Sequence, residues 1–232
     1  MNVQIRALML DDVSRVEEID RQAFPTLWPP TSLKRELENR LAKYLIAWEP
    51  KPPLRQDGAY PMEGHVLTEA ASLSDGPFLR RLAGSVKRRF PFTKPPRVES
   101  PRREGLDYAI LGFVGLWFMA GEAHITAIAV EEASRGKGIG ELLLMGSIEL
   151  AMSRGATVVS LEARVSNYVA QSLYQKYGFQ KVGIRKGYYT DNREDAVIMT
   201  TQPIKNPAYQ EKFQALKEAY RQRYGEIKIT LA

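Results

Sequence analysis

The sequence of 232 residues contains no cysteine and only two histidines, His65 and His124. The absence of thiols excludes disulfide bridges, cysteine nucleophiles and cysteine-ligated zinc, and so few histidines argue against a histidine-rich metal site. The longest uncharged apolar run, residues 108–121, is shorter than the roughly 20 residues that a membrane-spanning helix requires. The first residues lack the basic-then-apolar order of a secretion signal. We therefore expect a cytoplasmic protein without a transmembrane segment and without a metal.

Positive charge is concentrated in one segment of the chain. The whole chain carries a net charge of +6, whereas residues 78–103 contain nine basic residues and one acidic residue. The surrounding segment, residues 50–107, holds many of the 14 prolines and shows little strand periodicity. The composition predicts a basic insertion at about 50–107 that interrupts a domain of residues 1–203, with a C-terminal helix and tail over 204–232.

The basic insertion has two interpretations. Clustered basic side chains favour binding to RNA or to another acidic partner, with the steep salt dependence that phosphate contacts produce. Few aromatic residues lie between the charges for base stacking, which argues against an RNA-binding module. A solvated, disordered loop explains the same composition equally well.

Hydrophobic periodicity predicts an α/β fold. Near the N-terminus, an alternating strand is followed by Asp11 or Asp12, either of which is placed to cap a helix that runs to about Phe24. Between residues 123 and 185 the predicted order is strand, helix, strand, helix, strand. This order predicts a mixed, partly parallel twisted sheet flanked by helices.

The C-terminal segment carries an apolar helical stripe, formed by Tyr209, Phe213, Leu216 and Tyr220. The stripe predicts a helical extension of the domain. We favour its packing on its own domain over the alternative of a dimer or partner contact.

The most informative segment is residues 128–140, IAVEEASRGKGIG. A strand leads through a polar turn and alternate glycines into a helix, an order that presents free backbone N–H groups at a helix N-terminus and so forms an anion site. The dinucleotide pattern G-x-G-x-x-G fails at Glu141, and no P-loop sequence is present. The pattern R-x-x-G-x-G fits Arg135, Gly138 and Gly140. The segment predicts a ligand that carries phosphate, unless the glycines merely shape a turn.

The longer stretch IAVEEASRGKGIGELLL resembles the acetyl-coenzyme A loop of the GNAT superfamily of N-acetyltransferases. The resemblance implies a GNAT fold and acetyl-CoA as co-substrate. It implies that the loop amides hold the coenzyme pyrophosphate, and that the preceding strand pairs through its backbone with the pantetheine arm. The loop residues are Arg135, Gly136, Lys137, Gly138, Ile139 and Gly140, and the strand residues are Ile128, Ala129 and Val130.

Residues 161–199, LEARVSNYVAQSLYQKYGFQKVGIRKGYYTDNREDAVIM, are similar to the bacterial ribosomal-protein N-terminal-alanine acetyltransferases and their archaeal relatives. The similarity implies acetyl transfer to the N-terminal α-amine of a protein, such as a ribosomal protein, by direct attack in a ternary complex. A protein or peptide N-terminus would then be the acceptor. The similarity is carried by LE-x-R-x-S-N, L-Y-x-x-x-G-F, the paired tyrosines and R-E-D-A-x-x-M.

The same resemblance assigns roles to individual residues. It makes Glu162 the general base, acting through water, and Tyr174 the acid that protonates the leaving thiolate. Asn167 would contact the pantetheine, cap a helix, or do both. The acceptor peptide would be bound by Leu27, Trp28, Tyr188 and Tyr189.

Other interpretations compete with these roles. The alternatives are that Glu162 is a solvated carboxylate at a strand end, Tyr174 a core residue, and His124 a histidine with a purely structural role. At the level of function, the alternatives are a GNAT enzyme that acts on a small amine or a lysine side chain, and a binding module built around the basic insertion.

Overall fold

A computed structural model describes residues 2–25, 32–51 and 107–231. The chain divides into two compact units, one formed by Met1–Lys51 with Asp107–Ala232 and the other by Pro52–Leu106. All of the second unit lies outside the described residues. The role predicted for the basic insertion therefore stays a prediction.

The described residues form eight strands and five helices, with two short 3₁₀ turns, Leu10–Asp12 and Glu132–Ser134. The strands are β1 (Gln4–Ala7), β2 (Ala42–Pro50), β3 (Tyr108–Met119), β4 (Glu122–Val130), β5 (Val158–Arg164), β6 (Phe179–Tyr189), β7 (Glu194–Thr201) and β8 (Lys228–Thr230). The helices are α1 (Val13–Ala23), α2 (Leu33–Glu38), α3 (Ile139–Ser153), α4 (Tyr168–Lys176) and α5 (Pro207–Tyr224). Among these described helices, none is both long and apolar enough to cross a membrane.

The strands form a single open sheet in the order β6-β7-β5-β4-β3-β2-β1-β8. Strand β4 is parallel to β5 and β1 is parallel to β8, whereas the other neighbours are antiparallel. The predicted fold class, a mixed and partly parallel sheet flanked by helices, is confirmed.

Helix α3 lies at the centre of the hydrophobic core. Its residues 142–148 are all buried, together with inward-facing residues of β1 to β5 and the apolar stripe of α5. A helix that is apolar on nearly all sides needs cover on nearly all sides. The sheet covers one side of α3, and the C-terminal helix supplies cover elsewhere.

Helix α1 lies against the sheet through Val13, Val16 and Ile19, whose spacing places them on one helical face. The prediction that Asp11 or Asp12 caps this helix is wrong. Asp12 stands at the N-cap position, but its side chain makes no capping hydrogen bond. Its carboxylate accepts hydrogen bonds from Arg6 instead.

Strands β4 and β5 pair over only part of their lengths. Residues Glu122 to Ile125 pair with Val158 to Leu161, and beyond these pairs the two strands have no register partners in each other. At the same point the pairing of β4 with β3 skips Thr126, because Gly115 faces Ala127 while Leu116 faces Ile125. Such a bulge bends a strand and increases its twist. The two strands therefore part beside the C-terminal half of β4.

The C-terminal extension packs on its own domain. Asn206 caps α5 by accepting a hydrogen bond from the Ala208 amide at 2.9 Å, and Pro207 occupies the first turn, where a missing N–H costs nothing. After α5, strand β8 pairs with β1 and extends the sheet by one strand.

The hairpin of β6 and β7 is longer than the sequence predicts. The last strand of the order predicted for residues 123–185 continues to Tyr189, through an irregularity between Arg185 and Tyr189. Asp195 holds this irregular stretch, because its carboxylate accepts hydrogen bonds from the Gly187 amide at 2.9 Å and the Lys186 ammonium at 2.6 Å. Tyr188 and Tyr189, which are predicted to bind the acceptor peptide, both lie on this extension at the end of β6.

Candidate active site

The C-terminal half of β4 has a backbone edge that no other described strand uses. Ile128, Ala129 and Val130 pair with β3 on one side, and β5 provides no partner on the other within the described residues. Ala129 is buried, and its two neighbours are half-buried. An extended ligand with amide groups can hydrogen-bond to such an edge as an additional strand would.

The glycine loop follows directly from that edge. Gly136 and Gly138 have φ values of 75° and 81°, a conformation that residues with side chains rarely adopt. The first hydrogen bond inside α3 runs from the Leu142 amide to the Gly138 carbonyl at 3.0 Å, so the amides of residues 139–141 have no partner within the helix. These free donors and the positive end of the helix dipole form an anion site.

The charged residues of the loop add to this potential. Arg135 and Lys137 are both exposed, and the Arg135 Nε donates a hydrogen bond to the Val130 carbonyl at 3.2 Å. An added Cβ on Gly140 would lie 3.7 Å from Val130, which places the loop against the end of β4. The loop and the unused strand edge are therefore adjacent, as a single elongated ligand would require.

The carboxylate of Glu162 is buried and paired at the C-terminal half of β5. Its side chain is 7% exposed, and it lies 3.0 Å from His124 Nε2 and 3.2 Å from an Arg185 guanidinium nitrogen. The interpretation of Glu162 as a solvated strand-end carboxylate is therefore wrong. A buried carboxylate whose partners come from two other strands has its orientation fixed by the fold.

A hydrogen-bonded chain continues from Glu162 through His124. The Nδ1 of His124 lies 2.8 Å from Ser160 Oγ, and Ser160 donates a hydrogen bond to Glu122. The side chain of Glu122 is half-exposed. His124 is indeed satisfied at both ring nitrogens, but one of its partners is the candidate base, which the sequence did not reveal.

The parallel register of β4 and β5 explains this grouping. His124 stands opposite Ser160, and Glu162 lies two residues further along the same face of β5. On the other face of both strands lie core residues such as Ile125 and Leu161. Alternation on two predicted strands could have suggested that His124 and Glu162 share a face, but not the register that joins them.

Tyr174 lies on the buried side of α4, and its side chain packs beside Phe179 with the ring centroids 5.8 Å apart. Burial, together with the nearby Tyr189 hydroxyl, raises the pKa of Tyr174. A phenol in this state keeps its proton at neutral pH and is able to donate it. Tyr189 also interacts electrostatically with Glu162, so the structure brings the candidate acid and base to the same region.

The two tyrosines at the end of β6 pack on each other with ring centroids 5.2 Å apart. Tyr188 is exposed, whereas Tyr189 is half-buried with the Arg164 guanidinium 3.9 Å from its ring centroid. Burial, opposed by the charge of Arg164, raises the pKa of Tyr189 to about 12. Arg164 is in turn held by Asp191 and Glu194, which fixes this side of the site.

Asn167 caps α4, since its side chain accepts a hydrogen bond from the Ala170 amide at 3.1 Å. Its predicted contact with pantetheine stays a prediction. Leu27 and Trp28, the other predicted acceptor residues, lie outside the described residues. In the part of the chain that the structure describes, no group of three or more histidine, aspartate or glutamate side chains is placed to hold a metal ion.

Comparison with known proteins decides the family. The model of the acetyltransferase (GNAT) family matches residues 102–179. A Bacillus subtilis (strain 168) protein, provisionally named a ribosomal protein bS18-alanine N-acetyltransferase, is 32% identical over 196 residues, which cover 84% of this chain and 92% of the relative. The chain belongs to the GNAT family of acetyltransferases. The predicted resemblance is thereby confirmed, and this GNAT protein is an enzyme that transfers acetyl groups.

Two solved structures share the GNAT fold of this chain. The ribosomal-protein-S18-alanine N-acetyltransferase from Escherichia coli superposes with a TM-score of 0.55 at 21% identity, covering 87% of this chain and 94% of that one. The PaiA N-acetyltransferase from Thermoplasma acidophilum, solved in complex with coenzyme A, gives a TM-score of 0.50 at 16% identity over 87% and 99% of the two chains.

Proposed function

We propose that this GNAT enzyme transfers the acetyl group of acetyl-coenzyme A to the N-terminal α-amine of a protein, such as a ribosomal protein, by direct attack within a ternary complex. The observation that carries the proposal is the buried Glu162 carboxylate, held by His124 and Arg185 on the strand that parts from β4. The similarity to relatives named for the N-terminal alanine of bS18 supports the choice of acceptor.

The coenzyme supplies a thioester, and the residues around the glycine loop fit it. The free amides at the start of α3 and the exposed Arg135 and Lys137 suit a pyrophosphate, whose charge they would offset. The unused edge of residues 128–130 suits the amide-bearing pantetheine arm. An added Cβ on Gly136 would meet nothing within 4 Å, so the loop leaves room for a ligand on that side.

A single modest base is sufficient for an α-amine. The pKa of an α-amine lies near 8, against about 10.4 for a lysine side chain, so deprotonation at neutral pH costs only about 1 kcal/mol. Glu162 accepts this proton through a water molecule. Its position in a fixed, buried environment favours an acceptor amine that arrives in one orientation.

His124 and Arg185 prepare Glu162 for this role in different ways. His124 orients one carboxylate oxygen and connects it through Ser160 to the half-exposed Glu122, a route by which the accepted proton reaches solvent. Arg185, with a side chain that is 55% exposed, occupies the other oxygen. The incoming ammonium group is itself a cation and replaces Arg185 at the carboxylate.

Bond changes at the reacting carbon need one further proton. As the nitrogen–carbon bond forms and the carbon–sulfur bond breaks, Tyr174 donates its phenolic proton to the departing sulfur, and the second proton lost by the nitrogen restores the phenol. The raised pKa of Tyr174, caused first by burial, keeps the phenol protonated until that step. Tyr188 and Tyr189 contact the first residues of the acceptor polypeptide, and Leu27 and Trp28 are proposed to do so as well.

A peptide pool distinguishes this acceptor from the alternatives. The enzyme is incubated with acetyl-coenzyme A and peptides that carry an internal lysine, each supplied with a free and with a blocked N-terminus, and the products are read by mass spectrometry. We expect acetylation at the α-amine of the free peptides alone. Acetylation of blocked peptides at lysine, or of spermidine in place of peptides, would instead support a GNAT enzyme for side-chain or small amines.

A further inference from the structure

The C-terminal helix α5 is attached to the domain at two distant points. Near its start, the Tyr209 hydroxyl donates a hydrogen bond to the Tyr177 carbonyl at 3.0 Å. Near its end, the Tyr220 hydroxyl donates to the Gly138 carbonyl at 3.3 Å. Both tyrosines are buried in the hydrophobic core. The second attachment point is the glycine loop itself.

The last turn of α5 places an aromatic ring directly against this loop. An added Cβ on Gly138 would lie 2.8–3.0 Å from three ring carbons of Tyr224, closer than real side-chain contacts allow. The Tyr220 and Tyr224 rings pack together with centroids 4.7 Å apart, and the Arg223 guanidinium lies 5.1 Å from the centre of the Tyr224 ring. Gly138 is therefore held from one side by two packed tyrosines.

This support acts on the glycine-rich part of the candidate coenzyme site. The loop contains two glycines with positive φ, and glycine loses more conformational freedom than any other residue when it is ordered. A loop that is ordered before its ligand arrives avoids this loss on binding, which raises affinity. The basic Arg223 also offsets the negative end of the α5 dipole, which otherwise faces a site for an anion.

We infer that Tyr224 is a positioning residue for the coenzyme, acting through Gly138 to hold the glycine loop in its binding conformation. The inference rests on the proposed function, because it presupposes that the loop binds the coenzyme pyrophosphate. The C-terminal extension thereby becomes part of the coenzyme site, although α5 begins well beyond the matched family residues 102–179.

The test uses the full chain with the substitution Tyr224→Ala. Calorimetry with coenzyme A measures Kd, and steady-state acetylation of a free peptide measures KM and kcat. We expect Kd for coenzyme A and KM for acetyl-coenzyme A to rise by about tenfold, because the loop must now be ordered on binding. At saturating coenzyme, kcat and the KM for peptide stay at the wild-type values. A lowered kcat with unchanged coenzyme affinity would overturn the inference.

Matched variants of α5 separate positioning from stability. Tyr209→Phe removes the hydrogen bond at the other attachment point, and we expect it to lower Tm without changing Kd for coenzyme A. Tyr224→Phe keeps the ring against Gly138, and we expect it to bind coenzyme A more tightly than Tyr224→Ala does. The inference is overturned when Tyr209→Phe weakens coenzyme binding as strongly as Tyr224→Ala does.

Two further outcomes are decisive. Should Tyr224→Ala fail to fold, Tyr224→Leu removes the ring from Gly138 but keeps an apolar side chain; a two- to threefold higher Kd supports the inference, and an unchanged Kd overturns it. When the wild-type protein binds coenzyme A and Tyr224→Ala binds it equally well, the inference alone fails. When the folded wild-type protein shows no binding of coenzyme A, the proposed function fails with it.

Discussion

Two buried carboxylates in this enzyme each face an arginine, yet their surroundings differ. Asp12, which is fully buried, accepts hydrogen bonds from Arg6 at 2.6 and 3.0 Å, from the Tyr108 hydroxyl at 2.6 Å and from the Met9 amide at 2.8 Å. Arg6 is itself only 14% exposed. The side chain of Glu162 is 7% exposed, and its arginine stands on the edge strand with more than half of its side chain in solvent.

The difference separates an ion pair that holds the fold from one that can be exchanged. Burial acts to raise the pKa of Asp12, but the hydrogen bonds from Arg6, Tyr108 and Met9 outweigh it, so the pKa is lowered and the charged form is favoured. All of these donors are supplied by the fold. The arginine at Glu162 is instead largely in solvent, as the proposed exchange for an acceptor amine requires.

The largest expected effect is on stability, in Asp12→Ala. This change leaves Arg6 and Tyr108 without their partner, and removal of one member of a buried pair costs about 3–5 kcal/mol. Urea unfolding measures the loss in the free energy of unfolding. The neighbouring exposed Asp11→Ala is the control and should stay within about 0.5 kcal/mol of wild type. Equal losses in Asp12→Ala and Asp11→Ala would show that the Asp12 ion pair does not hold the fold.

Glu162→Gln should affect catalysis, whereas Asp12→Ala affects stability. We expect kcat to fall by about a hundredfold or more, because the amide cannot accept the amine proton. The Kd for coenzyme A should stay near the wild-type value, because the carboxylate lies on β5 and the free loop amides on α3. Calorimetry and steady-state kinetics measure the two quantities, with the exposed Glu211→Gln as a control. Unchanged turnover would exclude Glu162 from the mechanism.

Acidification should reduce the difference in stability between the wild type and Asp12→Ala. Because the pKa of Asp12 is lower in the folded protein than its ordinary value of 3.8, its contribution to stability is complete above that value and is lost as the pH falls through the folded-state pKa. The deficit of Asp12→Ala relative to wild type should therefore be constant near neutrality and shrink below about pH 4. Urea unfolding at a series of pH values measures it, and a deficit that is the same at pH 7 and pH 3 would contradict the assignment.

The smallest effect is expected for Arg185→Ala. A pair with a largely exposed arginine contributes about 0–1 kcal/mol to stability, whereas the partly buried Arg6→Ala should cost about 3 kcal/mol because it leaves the Asp12 charge unpaired. The two arginine variants, compared by urea unfolding, test whether the pairs differ as described. A loss in Arg185→Ala as large as that in Arg6→Ala would show that the Glu162 pair is structural.

Much of the fold follows from local sequence patterns. The strand, helix, strand, helix, strand order predicted for residues 123–185 is found there, and the glycine loop enters a helix where the pattern indicated. These elements were predictable because periodicity and turn residues act over short distances. The end of β6 was not predictable from local patterns, because the irregularity there depends on Asp195 in the facing strand.

The candidate site was predictable only in part, for a related reason. Glu162 and Tyr174 stand in a motif, but His124 reaches Glu162 only through the register of two parallel strands. In the same way, the contact between Tyr224 and Gly138 joins residues that are far apart in the sequence. Such contacts depend on tertiary packing, which a local pattern does not encode.

Thr126 has a consequence beyond its own position. Thr126 is the extra residue in β4 and directly follows the last β4 residue that pairs with β5, so the two strands diverge from this point. The edge of β4 that no other described strand uses thus begins beside a single extra amino acid, Thr126.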